Sequence, residues 1–284
     1  MAVYPEGPQG IGRVLDTSFK LYRASFAKST LLSLIYLFLL VAPYAVYLAV
    51  LMRAMAGPSA PEEFLVSSGV MFVCSIVAGA IYLGIVHQVD ATGHGAADRS
   101  LGDSIATGFK RLLPLIWTAI VMAVVLIGAA LPAAAAAALL NDLSPLAGGI
   151  ATLVLALLPL ALAVYLMFAF VLVVTDRESG IRAVRHSYNL VKGNWWRVFL
   201  IVTVVMIIYS IISGVFAALG GFLLGLTGGM HNMVGPMLGA LGAYILFIVF
   251  QVLLTPYLFS GLLAILEDLK HRREGSDLEA RLAG

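Results

Sequence analysis

The chain is built from two kinds of segment. Short amphipathic stretches, in which cations and aromatic rings recur at helical spacing, each lead into a pair of long apolar runs. The amphipathic stretches occupy residues 11–31, 100–116 and 179–199, and the apolar runs cover about 29–52, 64–89, 112–140, 148–174, 198–226 and 237–266. Each run exceeds the roughly 20 residues that carry a helix across a hydrocarbon core. The pattern predicts an all-α integral membrane protein with six transmembrane helices. Gly57, Pro58 and Pro61 break the chain between the first two runs. A turn from Asn141 to Pro145 separates the third and fourth, and a glycine-rich link at 227–236, containing His231 and Pro236, separates the last two.

On a helical wheel, Ile11, Val14, Leu15, Ser18, Phe19, Leu21, Tyr22, Ser25 and Phe26 share one half, opposite Arg13, Asp16, Thr17, Lys20 and Arg23. In the second stretch, Ser100 and Asp103 resemble a capping box. Leu101, Ile105, Phe109, Leu112 and Leu113 then form a stripe opposite Asp103, Thr107 and Lys110. In the third, Ile181, Val184, Tyr188, Val191 and Trp195 oppose Arg182, His186, Asn189 and Arg197. Gly193-Asn194 predicts the end of that helix, and Trp195-Trp196 stand where the chain turns into the bilayer. Each stretch is expected to lie in the interface plane, rings toward acyl chains and cations toward headgroups.

The three stretches align as a repeat. With Phe19, Phe109 and Tyr188 in register, Lys20 matches Lys110 and Asn189, and Ser18 matches Gly108 and Ser187. Between the first and third, Leu21 matches Leu190, Arg23 matches Lys192, Phe26 matches Trp195 and Lys28 matches Arg197. A single polytopic domain, 1–284, would then hold repeat units at about 11–89, 100–175 and 179–268, with a charged tail at 269–284. Each unit is an interfacial amphipathic helix plus a two-helix hairpin. An even number of spans per unit makes the three pseudo-repeats parallel.

Composition sharpens this picture. The chain is 61% hydrophobic and 11% charged, with mean hydropathy +1.01; soluble domains run at roughly 45–50% apolar and 25% charged. The net charge of +2 says little, but of the 17 lysines and arginines all except Arg53 fall on one side of the six-span layout. The positive-inside rule therefore predicts that both termini and all three amphipathic stretches are cytoplasmic. The single cysteine, Cys74, excludes a disulfide within the chain.

Candidate chemistry is sparse. The spans hold almost no ionisable groups, which argues against an ion-coupled pump. There is no phosphate loop, CxxC motif or nucleophile elbow, so no enzyme activity is expected. His87, Asp90 and His94 have a spacing that could share a helix face, but Thr92-Gly93 interrupts it, and neither a metal site nor a cofactor is expected. The basic residues are placed for a membrane surface rather than for nucleic acid. The richest cluster of cations and rings is Arg182, Arg185, Tyr188, Lys192, Trp195, Trp196 and Arg197, supplemented by Lys20, Arg23, Lys110 and Arg111. Arginine forks suit phosphate, and each cation near an anionic leaflet contributes about 1 kcal/mol. Anionic lipid headgroups are the expected partners, a membrane-protein partner is a further candidate, and no oligomeric state is indicated. In the last span, Gln251 and the Thr255-Pro256 kink are candidates to line a cavity or to bond a neighbouring span.

The segments RHSYNLVKGNWWRVF, RVLDTSFKLYRASF and DLKHRREGSDLE resemble the membrane-domain family named after glycerophosphoryl diester phosphodiesterase. The six-span layout is similar to the related YciC-like bacterial inner-membrane proteins. The resemblance implies a multi-pass protein of the bacterial cytoplasmic membrane. It does not bring the phosphodiesterase activity, which in the fusion proteins resides in a separate soluble barrel of about 250 residues. The expected role is non-catalytic: binding lipid or a membrane partner in membrane organisation or assembly. The alternative is a permease or channel for a small amphipathic solute.

Overall fold

The computed structural model describes residues 2–56, 61–96, 98–228 and 234–283. The expected loop residues Gly57 and Pro58, and His231 in the last link, lie outside them. Among the described residues the fold is helical, with no strand. The order is α1 (Ile11–Ala56), α2 (Pro61–Gly93), α3 (Leu101–Lys110), α4 (Leu112–Leu143), α5 (Pro145–Leu166), α6 (Ala169–Thr175), α7 (Ile181–Val191), α8 (Trp195–Gly228) and α9 (Val234–Ala283). Six segments are long and apolar enough to cross a membrane: Ile11–Ala54, Pro61–Gly93, Leu112–Asp142, Pro145–Thr175, Trp195–Thr227 and Leu238–Arg273. The chain thus has the makeup of a multi-pass membrane protein.

Two compact units are present. The first comprises Met1–Pro5, Gly10–Lys110 and Ile201–Ala264; the second comprises Glu6–Gln9, Arg111–Leu200 and Ile265–Gly284.

In the first unit α1 pairs with α2, and α2 with α3. The inward face of α1 carries small hydroxyl residues: Ser18, Ser25, Ser29 and Ser33 are buried, with Val14, Leu21 and Leu32. Three of these hydroxyls are satisfied by the carbonyl one turn back, Ser25 on Leu21, Ser29 on Ser25 and Ser33 on Ser29, at 2.7–2.9 Å. Such residues let backbones approach closely without an unpaired polar group. Thr17, expected on the polar side, belongs to this buried stripe, whereas Phe19 and Phe26 remain exposed. The face is thus set by side-chain size rather than by hydropathy alone. Between α2 and α3, Gly108 lies against the Ala80 carbonyl with no room for a Cβ. Ser100 caps α3 as expected, its hydroxyl accepting the Asp103 N–H at 3.1 Å.

Also in the first unit, α8 and α9 pack through Val205, Phe250, Leu254 and Tyr257. Gln251 Oε1 accepts the Tyr209 hydroxyl at 2.8 Å, and Thr255 bonds back to the Gln251 carbonyl at 2.6 Å. Gln251 and Thr255 are therefore spent within and between helices, and the Tyr22 hydroxyl reaches the Leu253 carbonyl at 3.1 Å. Pro256 itself is buried. Small residues meet at Gly220 against Ala243, and Gly239 lies close against α8 at Leu223 and Leu224, whereas Gly221 and Gly225 face open space.

Element boundaries also differ from the sequence expectation. The first amphipathic stretch is not a separate helix: α1 runs unbroken from Ile11 to Ala56. The fourth span is divided at Met167-Phe168 into α5 and α6. In a continuous helix the Tyr165 carbonyl would accept from residue 169, but here it accepts the Ser187 hydroxyl of α7 at 2.7 Å. A side chain inserted into the ladder interrupts it.

Candidate functional site

The second unit contains the corner between α7 and α8, where the sequence placed its densest cations and rings. It is built on α4, α5 and α6, which α7 packs against. The inner face of α7 is Ala183, Ser187, Leu190 and Val191, all buried. The sequence expectation set Ile181 and Tyr188 toward acyl chains, on the face opposite Arg182. Ile181 is 60% exposed and Tyr188 40%, but they share the outer face with Arg182, Arg185 and Lys192 rather than opposing them. None of these three cations makes an ion pair with a described residue.

The helix ends as the sequence predicted. Lys192 closes α7 with its N–H on the Tyr188 carbonyl at 2.9 Å. Gly193 takes φ +90°, a left-handed backbone that glycine adopts without steric cost. Trp195 stacks on Phe199 at 5.1 Å and donates its Nε1 hydrogen to the Ala161 carbonyl at 3.3 Å. Trp196 meets Trp195 edge-on and is 76% exposed. Tyr165 lies against Tyr188 at 4.9 Å. Ala161, Tyr165, Gly193, Asn194, Trp195, Trp196 and Arg197 line an open groove of about 690 Å³.

Arg197 does not share the freedom of the α7 cations. Its Nε and Nη2 bond one oxygen of Asp268, at 3.1 and 3.0 Å, and Nη2 also donates to the Gln9 carbonyl. Arg272 bonds the same carboxylate oxygen at 3.1 Å, and the Gln9 N–H donates to its other oxygen at 2.7 Å. Asp268 is only 2% exposed. Two guanidinium groups and a backbone amide thus fix one buried carboxylate, which holds α8, α9 and the N-terminal loop of this unit together. In the sequence Asp268 stands just past the last apolar run. Its one legible clue was an acid four residues before Arg272 on a helix. A second ionic group joins Lys270 to Asp176, with His186 Nδ1 3.1 Å from Glu178.

The remaining candidates are scattered. Lys20 pairs with Asp16 at 2.7 Å on the exposed side of α1. Arg23 and Lys110 are exposed and Arg111 half-buried. His87, Asp90 and His94 do not converge. Arg99 donates to His87 Nε2 at 2.8 Å, which leaves Nδ1 to donate toward the Ser104 hydroxyl at 3.4 Å. Ser104 in turn donates to Gln88 at 2.8 Å. His94 instead meets Asp90 and the Tyr4 ring.

Phe19, Phe109 and Tyr188, the residues set in register by the sequence, are 43%, 47% and 40% exposed. Their N-terminal neighbours Ser18, Gly108 and Ser187 are all buried.

No curated protein and no solved structure matches the chain. A family does match, over residues 39–264. That range takes in the α7–α8 corner and Arg197, and leaves out Gln9, Asp268 and Arg272. On that match the chain belongs to the family described as Domain of unknown function (DUF7847).

Proposed function

We propose that the protein is a non-catalytic component of the bacterial cytoplasmic membrane that holds anionic lipid headgroups at the α7–α8 corner, in membrane organisation or the assembly of a membrane partner. The observation that carries this reading is the outer face of α7, where Arg182, Arg185 and Lys192 stand beside Ile181 and Tyr188, with Trp196 exposed at the corner. Cations and rings on one exposed face match the headgroup and glycerol-ester levels of a bilayer. The like exposure of Phe19, Phe109 and Tyr188 supports the threefold parallel repeat. The cation asymmetry supports cytoplasmic termini. The resemblance to the phosphodiesterase-associated membrane domains and YciC-like proteins supports the bacterial inner membrane. A permease gains no support from Gln251 and Thr255, whose bonds are spent on helix packing.

The test is replacement of Arg182, Arg185 and Lys192 by Gln. These residues are exposed, so stability should change by less than about 0.5 kcal/mol. Native mass spectra should show loss of co-purifying phosphatidylglycerol or cardiolipin. Unchanged lipid content would leave the corner as an anchor that only sets the depth of α8. Reporter fusions at Gly95 and Gly284 should report the cytoplasm, and fusions at Gly57, Leu143 and Gly229 the far side. A cytoplasmic signal at Leu143 would overturn the six-span topology.

A further inference from the structure

A second groove, in the first unit and on different helices, has the opposite charge. It lies between α1 and α2 and encloses about 640 Å³, within the range of small-molecule sites. Its walls are Ala42, Pro43, Val46 and Val50 of α1 and Val66 and Val70 of α2, with Glu62 and Glu63 at one end. Pro43 lies within α1, where it lacks an N–H for the carbonyl one turn back and its ring crowds that carbonyl. The serine-lined close approach of α1 lies before this proline, and the groove begins beside it at Ala42.

We propose that this groove binds a single-chain amphiphile with an ammonium head, the tail lying along Val46, Val66 and Val70 and the head at Glu62 and Glu63. Charge complementarity selects that occupant. Neither carboxylate makes an ion pair with a described residue. Arg53, the cation set apart from the other 16 by the sequence, is the only basic residue in the intervening stretch. Two acids against one base leave a net negative end. An anionic amphiphile would meet like charge there, and a zwitterionic phospholipid would bring its phosphate up to both carboxylates. A bare ammonium meets only attraction. The carboxylates also complement the positive end of α2. That role by itself requires no apolar groove, and the two roles are separable by experiment.

The probe is dodecyltrimethylammonium, added to the full chain in nanodiscs of phosphatidylglycerol and measured by calorimetry against dodecanol and dodecyl sulfate. Binding should saturate at one per chain. Changing Glu62→Gln together with Glu63→Gln should weaken it about tenfold, as expected for losing two solvent-accessible ion pairs, while dodecanol binding is unmoved. Val46→Phe should weaken both ligands by filling the groove. Both acids and Val46 are exposed, so these variants are expected to fold, and an unchanged melting temperature verifies it. Equal affinity in wild type and the Glu62→Gln, Glu63→Gln variant overturns the proposal. So does loss of binding on adding phosphatidylethanolamine, which would make a membrane aminolipid the occupant. The proposal does not depend on the α7–α8 corner, whose triple Gln variant should bind the probe as wild type does.

Discussion

The first and third amphipathic segments present the same pattern of burial, yet one is the start of an unbroken helix and the other turns a corner. In the shared register, Ala24 of α1 corresponds to Gly193 after α7 and to Pro114 near the start of α4. Alanine is the best helix former; glycine costs about 1 kcal/mol and proline about 3 in a helix interior. Ala24 continues its helix. Gly193 leaves it with φ +90°, and Pro114 removes the donor that the Lys110 carbonyl needs, so the chain breaks at Arg111. One residue position thus distinguishes a continuous helix from a corner, while the flanking cations and rings are nearly interchangeable. The third corner has in addition the Asp268 clamp and the Ser187 and Trp195 bonds to α5 carbonyls.

The comparison is open to attack by mutation. The largest effect is expected from Asp268→Ala, which leaves Arg197 and Arg272 without their shared counter-charge. Losing one partner of a buried ion pair costs about 3–5 kcal/mol. Thermal unfolding in detergent should fall accordingly, with faster amide exchange over 195–200 and none of that change over 11–31. Ala24→Pro should cost about 3 kcal/mol by breaking α1 where its counterparts are already broken, and exchange should rise in the turn before it. A variant as stable as wild type would show that α1 is not continuous there. Gly193→Ala should cost about 1–2 kcal/mol, because a Cβ is penalised in the left-handed region. The converse change, Ala24→Gly, should cost about 1 kcal/mol without creating a corner. The smallest effect is expected from Pro114→Ala. Stability should shift by less than about 0.5 kcal/mol, but amide exchange over 110–113 should slow as the Lys110 carbonyl regains a donor.

Several elements were legible because their signals are local. Length and apolarity marked the six spans. The Ser100 cap and the Gly193-Asn194 stop act within one turn of chain, so their residues alone announce them. Which face of α7 is buried was not legible in that way. The hydropathy stripe marks Ile181 and Tyr188, which stay exposed, whereas packing on α4, α5 and α6 takes the small residues Ala183 and Ser187. The tail at 269–284 read as a charged appendage, whereas α9 continues through it to Ala283, helped by the Asp268–Arg272 bond one turn apart.

What the sequence by itself determined is the set of properties that a single stretch of chain can enforce: number and length of apolar helices, and their caps and stops. What only the tertiary structure decided is which polar groups are spent. Gln251 goes to Tyr209, Ser187 to the α5 ladder, and Arg197 to an acid 71 positions away. Arg182, Arg185 and Lys192 keep an exposed face. The reason is that a buried polar atom must find a partner wherever the fold brings one, and the identity of that partner is fixed by packing between helices rather than by spacing along any one of them.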